Sequence, residues 1–339
     1  MPGPREICDE VIFDAIVPTT QRHPRTASIT RKIMNMQNGK GTAPNPIADV
    51  ANQPNRRDLL RTAAATAGAA TLAASTSNLN AATDGPAVKK GRLKQTVCHW
   101  CYNGFSLDEM AVAAKSLGLV GVDLIAPADL GVMKKHGLVC TMTSSHGIGK
   151  GLNDPANHDM CLEKINESIE ATAKHGFRNV ICFSGNRRGM DDATGLKNCV
   201  TALKKIAPVA EKAGVIINME LLNSRVNHPD YMCDTSAWGI ELCKQVGSDN
   251  FKLLYDIYHM QIMEGDIIRS IEKNHQYFGH YHTAGNPGRH ELDDNQELNY
   301  PAICRAIADT GFDGFLGQEF IPVGDPLTSL RQAVELCDV

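Results

Sequence analysis

From Gly91 to the end of the chain, short runs rich in β-branched residues alternate with longer amphipathic stretches. That alternation constrains the fold more than any other feature of the sequence. The strand-like runs cover residues 94–102, 120–127, 139–145, 179–186, 215–223, 251–259, 279–285 and 313–322. Helical periodicity fills the intervals at 106–117, 160–175, 198–213, 235–246, 266–277, 300–309 and 326–337. Gly118, Gly176, Gly214, Gly247 and Gly311 stand where helices of this length end in a left-handed cap. Eight strand–helix repeats in roughly 250 residues predict an α/β fold, a single (β/α)8 barrel of the TIM-barrel type. A doubly wound open sheet is the competitor. It needs a Gly-rich phosphate turn after its first strand, and Cys101-Tyr102-Asn103-Gly104-Phe105 is not one.

The first ninety residues break the pattern. Residues 1–54 carry scattered Pro, Asn, Thr and Arg without a sustained period, and read as disordered or as lying upstream of the true start, for which Met34 and Met36 are candidates. Asn55-Arg56-Arg57-Asp58-Leu59-Leu60-Arg61 and the Ala/Thr/Gly run behind it resemble a twin-arginine signal peptide over residues 55–82. The run is too short and too weakly apolar to span a bilayer. The resemblance implies a periplasmic or otherwise exported protein, cytoplasmic if the signal is not used. Residues 83–93 then form a linker, and 94–339 the barrel.

The whole-chain net charge of −4 and an aromatic content of 5% offer neither a basic face nor a stacking platform for nucleic acid. Eleven cysteines, an odd number, lie mostly in apolar runs such as Val180-Ile181-Cys182-Phe183. They are predicted to be buried thiols and not a disulfide framework. Cys98-His99-Trp100-Cys101 has redox-motif spacing but falls in a predicted strand, where positions three apart face opposite sides.

In a (β/α)8 barrel the chemistry sits at the C-terminal ends of the strands. The C-terminal parts of the fifth to eighth predicted strands carry Glu220, Asp256, His282 and Glu319 at similar height. Pleat parity sends them inward: Ile216, Asn218 and Glu220 share a face, as do Leu254 and Asp256, and Gly317 and Glu319. Three carboxylates in one barrel mouth repel, and a divalent cation removes the conflict. Three oxygen ligands and one imidazole suit Mn2+, Mg2+ or Co2+ better than a thiol-rich zinc site. Taken singly, each residue has a plainer role as a cap, an ion-pair partner or a satisfied core histidine. Their coincidence on consecutive strands points to a metal.

Residues 256–266, Asp-Ile-Tyr-His-Met-Gln-Ile-Met-Glu-Gly-Asp, resemble the signature after the sixth strand of the hydroxypyruvate isomerase family. So does Asn286-Pro287-Gly288-Arg289-His290-Glu291 followed by Glu297-Leu298-Asn299-Tyr300. That family lies within the xylose isomerase-like barrel superfamily, beside ketose 3-epimerases and type IV AP endonucleases. The resemblance is dense over residues 215–322 and architectural over 91–214. It implies that Glu220 and Glu319 both bind metal and move protons, that Asp256 is a pure ligand, and that His259 and Arg289 hold substrate oxygens. His282 departs from it, standing where those isomerases are expected to carry Gln and the 3-epimerases His. Arg225 matches some relatives, but residues 226–230 do not follow their pattern. His99 and His146, at the ends of the first and third strands, are each open between substrate contact and structural histidine; Asp123 is open between lining the pocket and capping an inner layer.

The implied reaction is aldose–ketose isomerisation of a small hydroxy-carbonyl substrate, hydroxypyruvate to tartronate semialdehyde, through an enediolate. A ketose 3-epimerase or related sugar isomerase is the alternative, and a non-catalytic exported sugar-binding barrel the alternative of another class. The acidic balance opposes AP endonuclease activity. No nucleic-acid partner and no membrane span are expected, and a homo-oligomer stays open.

Overall fold

A computed structural model of the chain describes residues 85–339. The segments read as disordered and as a twin-arginine signal, 1–54 and 55–82, lie outside the described residues.

Eight parallel strands form one sheet: β1 (Lys94–Cys98), β2 (Gly121–Asp123), β3 (Val139–Cys140), β4 (Asn179–Cys182), β5 (Ile216–Glu220), β6 (Phe251–Asp256), β7 (Phe278–Thr283) and β8 (Phe315–Gln318). Their order, β3-β2-β1-β8-β7-β6-β5-β4, is that of a barrel cut once. Thr143 closes the cut, bridging Ile125 on one side and Val180 on the other. Its N–H donates to the Asn179 carbonyl at 2.9 Å and its carbonyl accepts from Ile181 at 3.0 Å. The fold is the expected α/β barrel.

Around the strands run α1 (Leu107–Leu117), α2 (Leu130–His136), α3 (His158–Lys174), α4 (Asp192–Ala213), α5 (Ser236–Val246), α6 (Ile257–Met263), α7 (Ile267–Asn274), α8 (Tyr300–Asp309) and α9 (Pro326–Cys337). The expected glycine caps are left-handed at Gly118, Gly214 and Gly247. Alternation within each strand divides the core. In β5, Ile217 and Met219 are apolar and buried, while Asn218 and Glu220 are polar and equally buried. The second set faces a polar barrel interior, where Asn218 Nδ2 reaches Asn179 Oδ1 at 3.4 Å and Thr96 Oγ1 meets Thr141 Oγ1 at 2.9 Å.

Several strands are shorter than their apolar runs, and the reason is local. The run 251–259 ends as a strand at Asp256, whose carboxylate accepts from the His259 N–H at 3.2 Å and caps α6. His259 therefore sits in a first helical turn and not on a strand. The run 94–102 ends at Cys98, and His99–Cys101 form a 3-10 turn, so the strand parity applied to Cys98 and Cys101 does not hold. Both are nevertheless free and buried, as are the other eight described cysteines. Helices α2 and α6 were not anticipated: α2 has seven residues ending in Met-Lys-Lys-His, too short for a clear period.

Candidate active site

Strands β5 to β8 deliver their terminal polar residues to one point at the barrel mouth. Glu220, Asp256, His282 and Glu319 each offer one ligand atom, and these atoms lie within 4.8 Å of one another. All four are buried. His282 Nδ1 stands 2.8 Å from Glu319 Oε2 and 3.5 Å from Glu220 Oε1. Neither approach is a hydrogen bond, because His282 Nδ1 and Glu220 Oε1 have no partner of acceptable geometry. Buried polar atoms that converge without an aligned hydrogen bond between them are the arrangement a cation relieves. The donor set, three carboxylates and one imidazole, fits a hard divalent ion that keeps positions open for substrate.

The floor of the site explains why Nδ1 is the free nitrogen of His282. Its Nε2–H donates to Asp123 Oδ2 at 3.1 Å, and His280 Nε2 donates to the same oxygen at 2.7 Å. A carboxylate behind a histidine fixes ring orientation and tautomer and makes the opposite nitrogen a better ligand. Burial alone would raise the Asp123 carboxyl, but the two histidines bring it down to about 2. Asp123 thus lies beneath the site, the inner-layer alternative of the two the sequence left open. Cys98 Sγ completes the floor, 3.7 Å from His282 Nε2. Gly317 makes room for it: a Cβ there would stand 2.6 Å from Asp123 Oδ2 and 2.9 Å from His282 Cδ2.

The two glutamates have different surroundings. Glu319 is held at both oxygens, Oε1 accepting from Trp100 Nε1 at 2.8 Å and Oε2 from Arg289 Nη2 at 2.6 Å. Burial would raise it, but His282, Arg289 and Trp100 hold it well below the usual carboxylate range. Glu220 has no such donors, and burial followed by repulsion from Glu319 pushes its carboxyl up. Burial also raises Asp256, against the pull of Arg289, whose Nη2 is 3.5 Å away. The charge conflict expected among the carboxylates is therefore met in part by the protein itself, through a buried arginine. Arg289 lies between Trp100 and Tyr258, 5.2 and 5.5 Å from their ring centres, and its Nε is buried without a partner.

His259 is wholly buried beside this cluster, its Nε2 3.5 Å from Asp256 Oδ2. Burial, then the nearby Arg289, lowers its pKa well below the histidine norm and keeps the ring neutral. The other two histidines read from the strand ends are tied elsewhere. His99 Nε2 donates to the Phe105 carbonyl at 2.8 Å, and no hydrogen bond or ion pair joins it to the carboxylates. His146 Nδ1 donates to the Gly147 carbonyl at 3.1 Å and its Nε2 accepts from Phe183 N–H at 3.4 Å. Burial lowers its pKa to about 4. The sequence does not mark Asn223, His228 and His280 as site residues, and it offers Trp100 only as packing for the mouth or a sugar-stacking surface, not as a donor to Glu319. The donor role of Trp100 and the place of His228 could have been found only from the turns these residues occupy; His228 packs edge-on against His259 at 5.3 Å, in the stretch set aside for its departure from the family pattern.

A family model described as a xylose isomerase-like TIM barrel matches residues 129–338. The 2-oxo-tetronate isomerase of Cupriavidus necator is 38% identical over 130 residues, covering 38% of this chain and 48% of that protein. A putative hydroxypyruvate isomerase of Homo sapiens is 34% identical over 128 residues, covering 38% of this chain and 46% of that one. The chain thus spans about half the length of these curated relatives. Among solved structures, a family 2 AP endonuclease from Brucella melitensis superposes with a TM-score of 0.64 at 24% identity, covering 70% of this chain and 97% of that one, which is a likeness of fold.

Proposed function

The chain belongs to the xylose isomerase-like TIM-barrel family, and from that premise we propose that it is a metal-dependent isomerase of small α-hydroxy carbonyl compounds. The leading reaction is hydroxypyruvate to tartronate semialdehyde. The observation that carries this reading is the convergence of Glu220, Asp256, His282 and Glu319 with two of their buried ligand atoms, Glu220 Oε1 and His282 Nδ1, left without a hydrogen-bond partner. The names of the relatives, isomerases of hydroxypyruvate and 2-oxo-tetronate, support the same substrate class.

A divalent ion held by these four residues supplies Lewis-acid charge beside the carbonyl and its neighbouring hydroxyl. The chain's own groups do the rest. Glu220, which no donor ties down, takes the proton from the hydroxyl-bearing carbon C3 and returns it to C2. Glu319, held ionised by Trp100 and Arg289, accepts the hydroxyl proton on one oxygen and passes it to the neighbouring one. His259, neutral and buried, donates to a substrate oxygen. The unpartnered Nε of Arg289 is available to a substrate carboxylate.

A ketose 3-epimerase is the second reading, and His282 in place of the expected Gln favours it. The deciding experiment is product identification after incubating Mn2+- or Mg2+-loaded protein separately with hydroxypyruvate and with a panel of ketoses. Tartronate semialdehyde from the first supports the leading reading; an epimerised ketose with hydroxypyruvate untouched supports the second. For residues 55–82 we propose export by the twin-arginine route. Replacing Arg56 and Arg57 by Lys should leave the protein in the cytoplasm, and an unchanged distribution contradicts the proposal.

A further inference from the structure

We propose that Asn223 is a positioning residue: it sets which nitrogen of His259 carries the proton, and so presents His259 to the site as an Nε2–H donor. The argument begins at the turn after β5. Asn223 Oδ1 accepts two backbone N–H groups, Val226 at 3.0 Å and Asn227 at 2.9 Å. Those donors fix the amide, because the flipped orientation would set an NH2 group against two N–H groups. Nδ2 must then face the other way, 2.8 Å from Asn227 Oδ1 and 2.6 Å from His259 Nδ1. An amide NH2 only donates, so His259 Nδ1 offers its lone pair and the proton resides on Nε2.

That Nε2 is buried and has no hydrogen-bond partner. It lies 3.5 Å from Asp256 Oδ2, the oxygen that Arg289 Nη2 also approaches at 3.5 Å, and so borders the metal-ligand cluster. Buried donors are rarely left unmet, and here the missing acceptor is one a bound molecule brings. That this acceptor is a substrate oxygen rests on the isomerase reading given above; the tautomer itself does not.

The test is two-bond 1H–15N correlation spectroscopy on full-length, 15N-histidine-labelled protein loaded with diamagnetic Mg2+. His259→Gln identifies the His259 signals among the twelve histidines. The expected pattern is a protonated Nε2 and a bare Nδ1. A protonated Nδ1 in the parent protein overturns the proposal, whatever any variant does. Asn223→Asp keeps an oxygen for Val226 and Asn227 N–H, so the turn is preserved, but puts an acceptor against His259 Nδ1. It should move a proton to Nδ1 and lower kcat roughly 10- to 100-fold with a smaller change in KM. An Asn223→Asp protein whose Nδ1 stays bare overturns the proposal. Should the parent protein turn over no hydroxy-carbonyl compound while its spectrum shows the Nε2–H form, the isomerase reading fails and the tautomer assignment stands.

Discussion

At the scale of single residues, the site separates groups that a sequence displays from groups that only a fold assembles. Glu220, Asp256, His282 and Glu319 were legible because each lies at, or within one residue of, the C-terminal end of a strand, where strand parity turns it inward. Asp123 was visible as a residue but not as a partner: it lies 159 positions from His282, and only the register across the barrel interior brings the two to 3.1 Å. Arg289 was read as a substrate anchor, yet its Nη2 is already engaged by Glu319 at 2.6 Å, which no spacing rule foretells. The role given to Asp123 is testable without turnover. Asp123→Asn removes the carboxylate behind His282 and should weaken Mn2+ binding roughly 10- to 100-fold, measured by chelator competition. Unchanged affinity would mean that His282 needs no such support or is not a ligand.

At the scale of elements, strand lengths and turns decide which side chain faces the mouth. The run 251–259 has strand composition throughout, but Asp256 ends it by capping α6, and this turn carries His259 sideways toward Asn223. A capping aspartate inside an apolar run is a weak signal, so the break was missed. β8 shows the converse, an absent side chain that permits contact. Gly317 leaves the space that Asp123 and His282 occupy, and a Cβ at 2.6 Å from Asp123 Oδ2 forces that pair apart. Gly317→Ala is therefore expected to keep the barrel folded by circular dichroism while lowering metal affinity and kcat together. A variant with both values intact would show that the floor tolerates displacement.

At the scale of the whole molecule, repeat arithmetic was enough to give the barrel, because eight strand–helix units of ordinary length have few other ways to close. What it did not give is how the ends are tied. The Asp338 carboxylate, just past α9, accepts from the N–H groups of Lys89, Lys90 and Gly91 at 2.6, 2.7 and 2.7 Å, pinning the segment before β1. Residues 85–93, read from the sequence as linker, are thus tied to the folded unit, with Ala87 and Leu93 buried. Burial would raise the Asp338 carboxyl, but these three donors and the charge of Lys90 bring it below its usual value. A depressed folded-state pKa gives stability that is complete above the unfolded carboxyl value, about 3.9, and is lost as pH falls through the folded one. Asp338→Ala should cost about 2 kcal/mol in urea unfolding near neutral pH. The gap from the parent should close in strong acid, and a gap independent of pH would contradict the role assigned to the carboxylate.

Among the described residues no helix is long and apolar enough to cross a membrane, and the chemistry proposed here is confined to one barrel mouth. Its central claim is that Glu220 carries a proton between adjacent carbons of a hydroxy-carbonyl substrate at a metal site. The most direct measurement follows hydroxypyruvate by NMR in deuterated water with Mg2+-loaded protein and with Glu220→Gln. Tartronate semialdehyde is expected from the parent protein, with deuterium at C2 to the extent that the protonated Glu220 exchanges with solvent before returning its proton, and with a rate lower by roughly a hundred- to ten-thousand-fold in the variant. Product formed at the same rate in the variant would contradict the assignment of Glu220, whatever the deuterium content at C2.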